Sequence, residues 1–239
     1  MNKVCVIIPC YKVKDKISKV ILRLLKKSIK IIIVDDKCPQ KTGAYVKKNF
    51  KQKNILVIFQ KKNSGVGGAT LEGFKYAIKN NYNIAIKIDG DDQHDTKVLG
   101  LFIKILSTQN HDICKGYRFD TLDDYFNIKM PFIRLFGATV LTFILRIVSG
   151  NWTIKDVCHG FIGFRIDFLK KLDFSKIQKN FFFEQDILFH SVLKKAKIKQ
   201  IRNLVRYETN ITSNLKPLNS IIPFLFYHFK NLLYRIIKS

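Results

Sequence analysis

Nine consecutive residues, KIDGDDQHD (87–95), hold four aspartates and a histidine directly behind the apolar run NIAI. Carboxylates at this density repel one another and lose hydration on burial, so the cluster requires either a solvated turn or a cation. An EF-hand loop needs glycine at its sixth position and glutamate at its twelfth. Counted from Asp89, those positions are His94 and Gly100, and the reading fails. A dinucleotide site needs G-x-G-x-x-G opening the first helix. SGVGGAT (64–70) supplies Gly65, Gly67 and Gly68 but has Thr70 for the last glycine and follows the third strand. Close helix–sheet packing and a tight turn account for those glycines more simply. What remains is an Asp-x-Asp pair. Asp89 and Asp91, two apart on an extended strand end, point the same way. With Mg2+ or Mn2+, such a pair holds a nucleotide diphosphate and neutralises it as a leaving group when a glycosidic bond breaks.

Strand and helix signals alternate around this cluster. Strands are expected at 4–8, 30–36, 55–59, 83–89 and 112–116, with helices near 16–27, 41–49, 67–80 and 95–107. That alternation predicts an α/β fold, a mostly parallel sheet flanked by helices on both faces. Ligands of such sheets bind beyond the carboxyl ends of the strands. Tyr11, Asp35–Asp36 and Asp89–Asp91 all fall there. Further along, a long apolar helix (131–149) leads into the glycine-containing CHGFIGFR, then a helix at 184–195, a short strand and an apolar C-terminal helix.

The chain has 239 residues, 47% of them apolar, enough for a sizeable core. Its formal charge of +25 is mostly lysine, with only eight arginines among 43 basic residues. Such an excess suits an anionic membrane surface or simply reflects a lysine-rich composition; the basic residues are scattered and form no nucleic-acid signature. Five cysteines without a C-x-x-C pair read as reduced thiols of a cytosolic compartment. No secretory signal is expected ahead of the first strand. The apolar stretches 131–150 and 217–239 are interrupted by Arg134, Arg146 and Lys230, short of the ~18–20 uncharged residues of a spanning helix.

VIIPCYK, VDDKCPQKTG, NSGVGGATLEGFKYA, KIDGDDQHD, GYR (116–118), KDVCHGFIGFR and EQDILFHSVLKKAKIKQI, in this order, resemble family 2 inverting glycosyltransferases. The similarity is greatest to the dolichol- or polyprenyl-phosphate mannosyl- and glucosyltransferase branch, over residues 3 to 215. The resemblance implies a glycosyltransferase-A (Rossmann-like) fold. It implies that Pro9, Tyr11, Val34 and Asp36 line the base and ribose pocket, with Asp36 on a base N–H. Asp89, Gly90 and Asp91 would meet ribose, phosphates and metal, Gln93 would join the two aspartates on the metal, and Arg118 would face a phosphate. Two departures stand out: Val13 replaces an acid four residues after the motif proline, and Glu208 and Asn214 occupy positions where lipid-phosphate enzymes carry arginine and lysine. Arg206 and Lys216, two residues outside each position, could substitute.

A lipid phosphate is already anionic, whereas a sugar hydroxyl needs a base. Asp186, then Glu184, are the candidates for that base, and a helix-start carboxylate complementing the dipole is the competing reading of Asp186. Asp156 would shape the acceptor pocket; His159 would contact acceptor or diphosphate, or be structural. Apolar faces flanked by Lys and Arg make 131–149 and 217–239 interfacial helices, although a dimer interface or plain core also suits the first. The expectation is a catalytic domain at 1–216 and a membrane-interface helix at 217–239. The enzyme would be peripheral at the inner membrane face and could form a homo-oligomer. It would move a hexose from a GDP- or UDP-linked sugar to a polyprenyl phosphate. The alternatives are transfer to a sugar hydroxyl of a lipid-linked surface polysaccharide, and a basic membrane- or nucleic-acid-binding module without catalysis.

Overall fold

A computed structural model describes residues 3–27, 29–108, 110–119, 130, 132–205 and 217–238. Seven strands, β1 (Val4–Cys10), β2 (Lys30–Asp35), β3 (Ile55–Phe59), β4 (Ile84–Lys87), β5 (Ile113–Tyr117), β6 (Ile162–Arg165) and β7 (Ile198–Arg202), form one sheet. Their order is β3-β2-β1-β4-β6-β5-β7. The first four run parallel, and β6 enters antiparallel between β4 and β5. β7 is parallel to β5 at the edge.

Helices α1 (Lys14–Leu25), α2 (Thr42–Asn49) and α4 (Leu99–Ser107) cover one face. The other carries α3 (Gly65–Lys79), α5 (Phe132–Ser149), the short α6 (Ile166–Leu169) and α7 (Phe183–Leu193). The two-residue period of β1 divides the core accordingly: Cys5 and Ile7 pack under α3, while Val6, Ile8 and Cys10 pack under α1. Helix α1 answers with Ile17, Val20, Ile21 and Leu24, a stripe at helical spacing. Apolar runs without alternation are what a sheet covered on both faces requires.

Close approach fixes α3 on the sheet. A Cβ at Gly73 would sit inside van der Waals contact with Ile7 Cγ2 and Cγ1 on β1. Gly73→Ala is therefore expected to overpack this contact and destabilise the fold by about 1–3 kcal/mol, read as a lower denaturant midpoint at unchanged slope.

The strand β6 lies in the segment expected as a glycine-rich connection. Four residues are too few to show a period, and Gly163 packs closely, since a Cβ there would lie 2.9 Å from Leu106 Cδ1 and 3.1 Å from Ile86 Cγ1. The C-terminal helix α8 (Pro217–Lys238) packs along α5 and reaches α7. Tyr227, His228 and Asn231 turn inward, while Phe226, Phe229, Leu233, Ile236 and Ile237 remain exposed. Among the described residues no helix is long and apolar enough to cross a membrane.

Candidate active site

A cavity of about 580 Å³ opens beyond the carboxyl ends of β1, β2 and β4. Pro9, Tyr11, Asp36, Asp89, Gly90, Asp91 and Gln93 line it, together with Lys12, Lys16, Asn63 and Gly65. Val34 does not: it is wholly buried in the core below, on the same face as Ile32, because strand parity points it under α3.

Asp35, the last residue of β2, and Asp36 after it both accept from backbone N–H groups. Asp35 accepts from Cys38 N (2.7 Å) and Gly43 N (2.5 Å), closing the turn into α2. Asp36 accepts from Ser64 N (2.7 Å), Ser64 Oγ (3.1 Å) and Gly65 N (2.8 Å). It thereby caps α3 from a different segment, which satisfies N–H groups that helix geometry leaves open. Asp36 thus shapes the wall of the cavity, with three of its acceptor positions already committed.

The Asp-x-Asp segment turns sharply after Lys87. Asp92 adopts φ +63°, a left-handed conformation that aspartate tolerates, and is ion-paired with Arg23. That leaves Asp91 facing the cavity, where its Oδ1 accepts from Gln93 N at 3.1 Å. Burial, then the neighbouring charge of Asp89, push its carboxyl up to about 6. Asp89 is placed differently. Its Oδ1 lies 2.6 Å from Lys87 Nζ, and its Oδ2 is 3.6 Å from His94 Nε2. The Asp89 amide donates to His94 Nδ1 (3.4 Å), which puts the ring proton on Nε2. Burial would raise the Asp89 carboxyl, but the charge and hydrogen bond of Lys87 outweigh it and hold it below its ordinary value.

Lys87 is fully buried and also meets Glu184 Oε1 at 2.6 Å. Burial opposes its charge, yet the two carboxylates more than compensate and raise its pKa. Beside it lies a second buried group. Arg118 donates through Nε (2.7 Å) and Nη2 (2.8 Å) to the two carboxylate oxygens of Asp156, a forked pair. Lys115 donates to the His159 carbonyl, and burial lowers its pKa to about 8. His94 and His159 stack with ring centroids 4.7 Å apart. Desolvation lowers His94 to about 4 and His159 well below its usual value, so both are neutral imidazoles.

Arg118, Asp156 and His159 lie beside the cavity rather than on its wall, and Arg118, expected to face a phosphate, is paired with Asp156. Asp186, the first choice for a base, is 1% exposed at the joint between α7 and α8. It accepts from Tyr227 Oη (2.5 Å), Gln178 N (2.7 Å) and Asn231 Nδ2 (3.5 Å). Arg206 and Lys216 lie outside the described residues.

Lys87, Lys115, His94 and Tyr227 were not anticipated. For Lys87 the signal was present: a lysine inside the apolar run IAIKI must be buried and must find carboxylates. Nothing in the sequence pointed to Tyr227.

The carboxylate and amide oxygens of Asp91 and Gln93 suit a hard divalent cation completed by phosphate oxygens. Among the described residues no three His, Cys, Asp or Glu side chains converge into a ready-made cage.

The sequence profile of glycosyl transferase family 2 matches residues 5–173. Polyprenol monophosphomannose synthase of Mycolicibacterium smegmatis is 24% identical over 196 residues, 80% of this chain and 72% of that one. Undecaprenyl-phosphate mannosyltransferase of Micrococcus luteus is 23% identical over 72% of this chain and 69% of its own length. Among solved structures, glucosyl-3-phosphoglycerate synthase from Mycobacterium tuberculosis, in complex with Mn2+, UDP and glucosyl-3-phosphoglycerate, superposes with a TM-score of 0.67. It is 15% identical, with 98% of this chain and 80% of that chain covered, and the shared architecture is the glycosyltransferase-A fold.

Proposed function

This chain belongs to glycosyl transferase family 2, and on that premise we propose that it moves a hexose from a nucleotide-diphosphate sugar to a polyprenyl phosphate. The donor would occupy the cavity, its base and ribose against Pro9, Tyr11 and the wall that Asp36 fixes. A divalent cation held by Asp91 and Gln93 would neutralise charge on the departing diphosphate. Of the Asp-x-Asp pair, Asp91 is the carboxylate without a cationic side chain hydrogen-bonded to it among the described residues, and a protein of the same fold has been crystallised with Mn2+ and UDP.

The state of the carboxylates supports a phosphate as the acceptor. A hydroxyl would have to lose its proton to a base, and both candidates are engaged. Glu184 receives the ammonium of Lys87, and Asp186 receives Tyr227 and two further donors. A phosphate needs no such base, because its oxygen attacks as an anion. This engagement of Glu184 and Asp186 is the observation that carries the assignment, and the names of the polyprenyl-phosphate relatives agree with it. Attack from the face opposite the diphosphate would invert the anomeric centre.

A lipid acceptor implies a membrane surface. Phe132, Phe136, Phe143 and Ile147 on α5 and Phe226, Phe229, Leu233, Ile236 and Ile237 on α8 are exposed on two packed helices. With a formal charge of +25, such a face suits peripheral attachment to anionic lipid at the inner side of the membrane.

Incubating the purified chain with labelled UDP- and GDP-sugars and polyprenyl phosphate vesicles is expected to give an organic-extractable product that releases its label in mild acid, as a glycosyl phosphate does. An acid-stable glycoside formed only with a sugar-lipid acceptor would instead assign the hydroxyl reaction.

A further inference from the structure

Resting on that reading of the cavity, we infer that Lys87 is a positioning residue that splits the Asp-x-Asp pair. It binds Asp89 and Glu184 into one fixed unit and leaves Asp91, with Gln93, as the protein's share of the divalent cation.

Lys87 ends β4, a strand at the centre of the sheet, where it pairs with Ile7 of β1 and Ile162 of β6. It is wholly buried, with carboxylates at 2.6 Å on two sides. One carboxylate comes from the donor motif and the other from the start of α7. The two are remote in sequence, and the ammonium ties them together at a common point.

The surroundings are built for this pair. A Cβ at Gly160 would overlap Asp89 Oδ2 and lie 2.8 Å from Lys87 Nζ, so only glycine admits the carboxylate against the lysine. The second oxygen of Asp89 is faced by His94 Nε2. A cation entering the cavity consequently meets one carboxylate already held by an ammonium and one, Asp91, that is not. Like charges at a spacing of two would otherwise repel each other until metal arrived. In this arrangement Asp89 keeps its place without metal, and the cation can leave with the diphosphate.

The test is direct Mn2+ binding, measured by the electron paramagnetic resonance of free Mn2+ in titrations of the full chain with and without UDP or GDP. In Lys87→Met the stem still fills the slot while Asp89 is released toward Asp91. Mn2+ affinity without nucleotide is expected to tighten by roughly tenfold, while sugar transfer falls about 100-fold at little change in donor KM. Gly160→Ala, which keeps every charge and displaces Asp89 from the lysine, is expected to move both readouts the same way, and it decides the matter if Lys87→Met does not fold. A merely structural lysine would lower thermal stability and leave the Mn2+ affinity of the folded fraction unchanged; that result in both variants overturns the inference. If the wild-type chain takes up no Mn2+ even with a nucleoside diphosphate, the metal-assisted donor site falls first, and the role of Lys87 with it.

Discussion

Asp91→Asn is expected to lower sugar transfer by roughly 10²–10³-fold while leaving the folded chain at least as stable as before. The substitution is nearly isosteric and keeps an oxygen for the Gln93 amide, which Asp91 Oδ1 accepts at 3.1 Å. What it removes is the negative charge that would hold the cation against the diphosphate. Metal-dependent binding of a nucleoside diphosphate should weaken in parallel, which calorimetry with and without Mg2+ would register. Stability supplies a second, independent sign. Burial and Asp89 raise the Asp91 carboxyl from 3.8 to about 6. Between those values the folded chain holds a proton that the unfolded chain has released, so metal-free stability declines as pH rises through the window. In Asp91→Asn that decline is absent, and unfolding at neutral pH should come at an equal or higher denaturant concentration. A module without catalysis would show no turnover to lose.

Breaking the Arg118–Asp156 pair is expected to be the most destabilising single change near the site. Asp156 is completely buried and Arg118 nearly so, joined by two parallel bonds of 2.7 and 2.8 Å. Arg118→Met leaves a buried carboxylate facing fewer cations, and the loss should be about 3–5 kcal/mol. Burial would raise the Asp156 carboxyl, but Arg118 overrides it and holds the group below its ordinary 3.8. The associated stabilisation is therefore complete above that value and disappears as pH falls through the depressed one. In Arg118→Met burial acts with less opposition, so acid unfolding should begin at a higher pH. Replacing both partners, Arg118→Met with Asp156→Leu, should recover most of the lost stability, because the buried carboxylate leaves together with its guanidinium. Urea unfolding of the three variants across pH 3–7 would check each step.

The first half of this chain is readable because its physics is local. Apolar runs such as VCVII and IIIV specify strands buried on both faces, and the polar residues that follow them must lie at the strand ends. The cavity walls at Tyr11, Asp36, Asp89 and Asp91 follow from that rule. Readability ends where a side chain's partner comes from afar. Sequence shows that Asp186 stands at a helix start but not that Tyr227 of α8 will claim it. It shows a permanently charged Arg118, but not that Asp156 will reach it before any phosphate does. Val34 is the instructive exception, since counting by twos from Ile32 already places it in the core. β6 stayed hidden because a four-residue strand containing glycine carries almost no periodic signal.

The position of β6 also bears on how the molecule can be made. β1 to β4 are complete once residue 87 has left the ribosome, but the neighbour of β4 on its open side is encoded only at residues 162–165. β5 is synthesised earlier than β6 and yet joins the sheet only through it. During translation the nascent half-sheet therefore waits with an unpaired central edge, the condition under which strands recruit wrong partners. A chaperone that shields this edge until the later segment emerges would raise the yield of native protein more than one that acts on the finished chain.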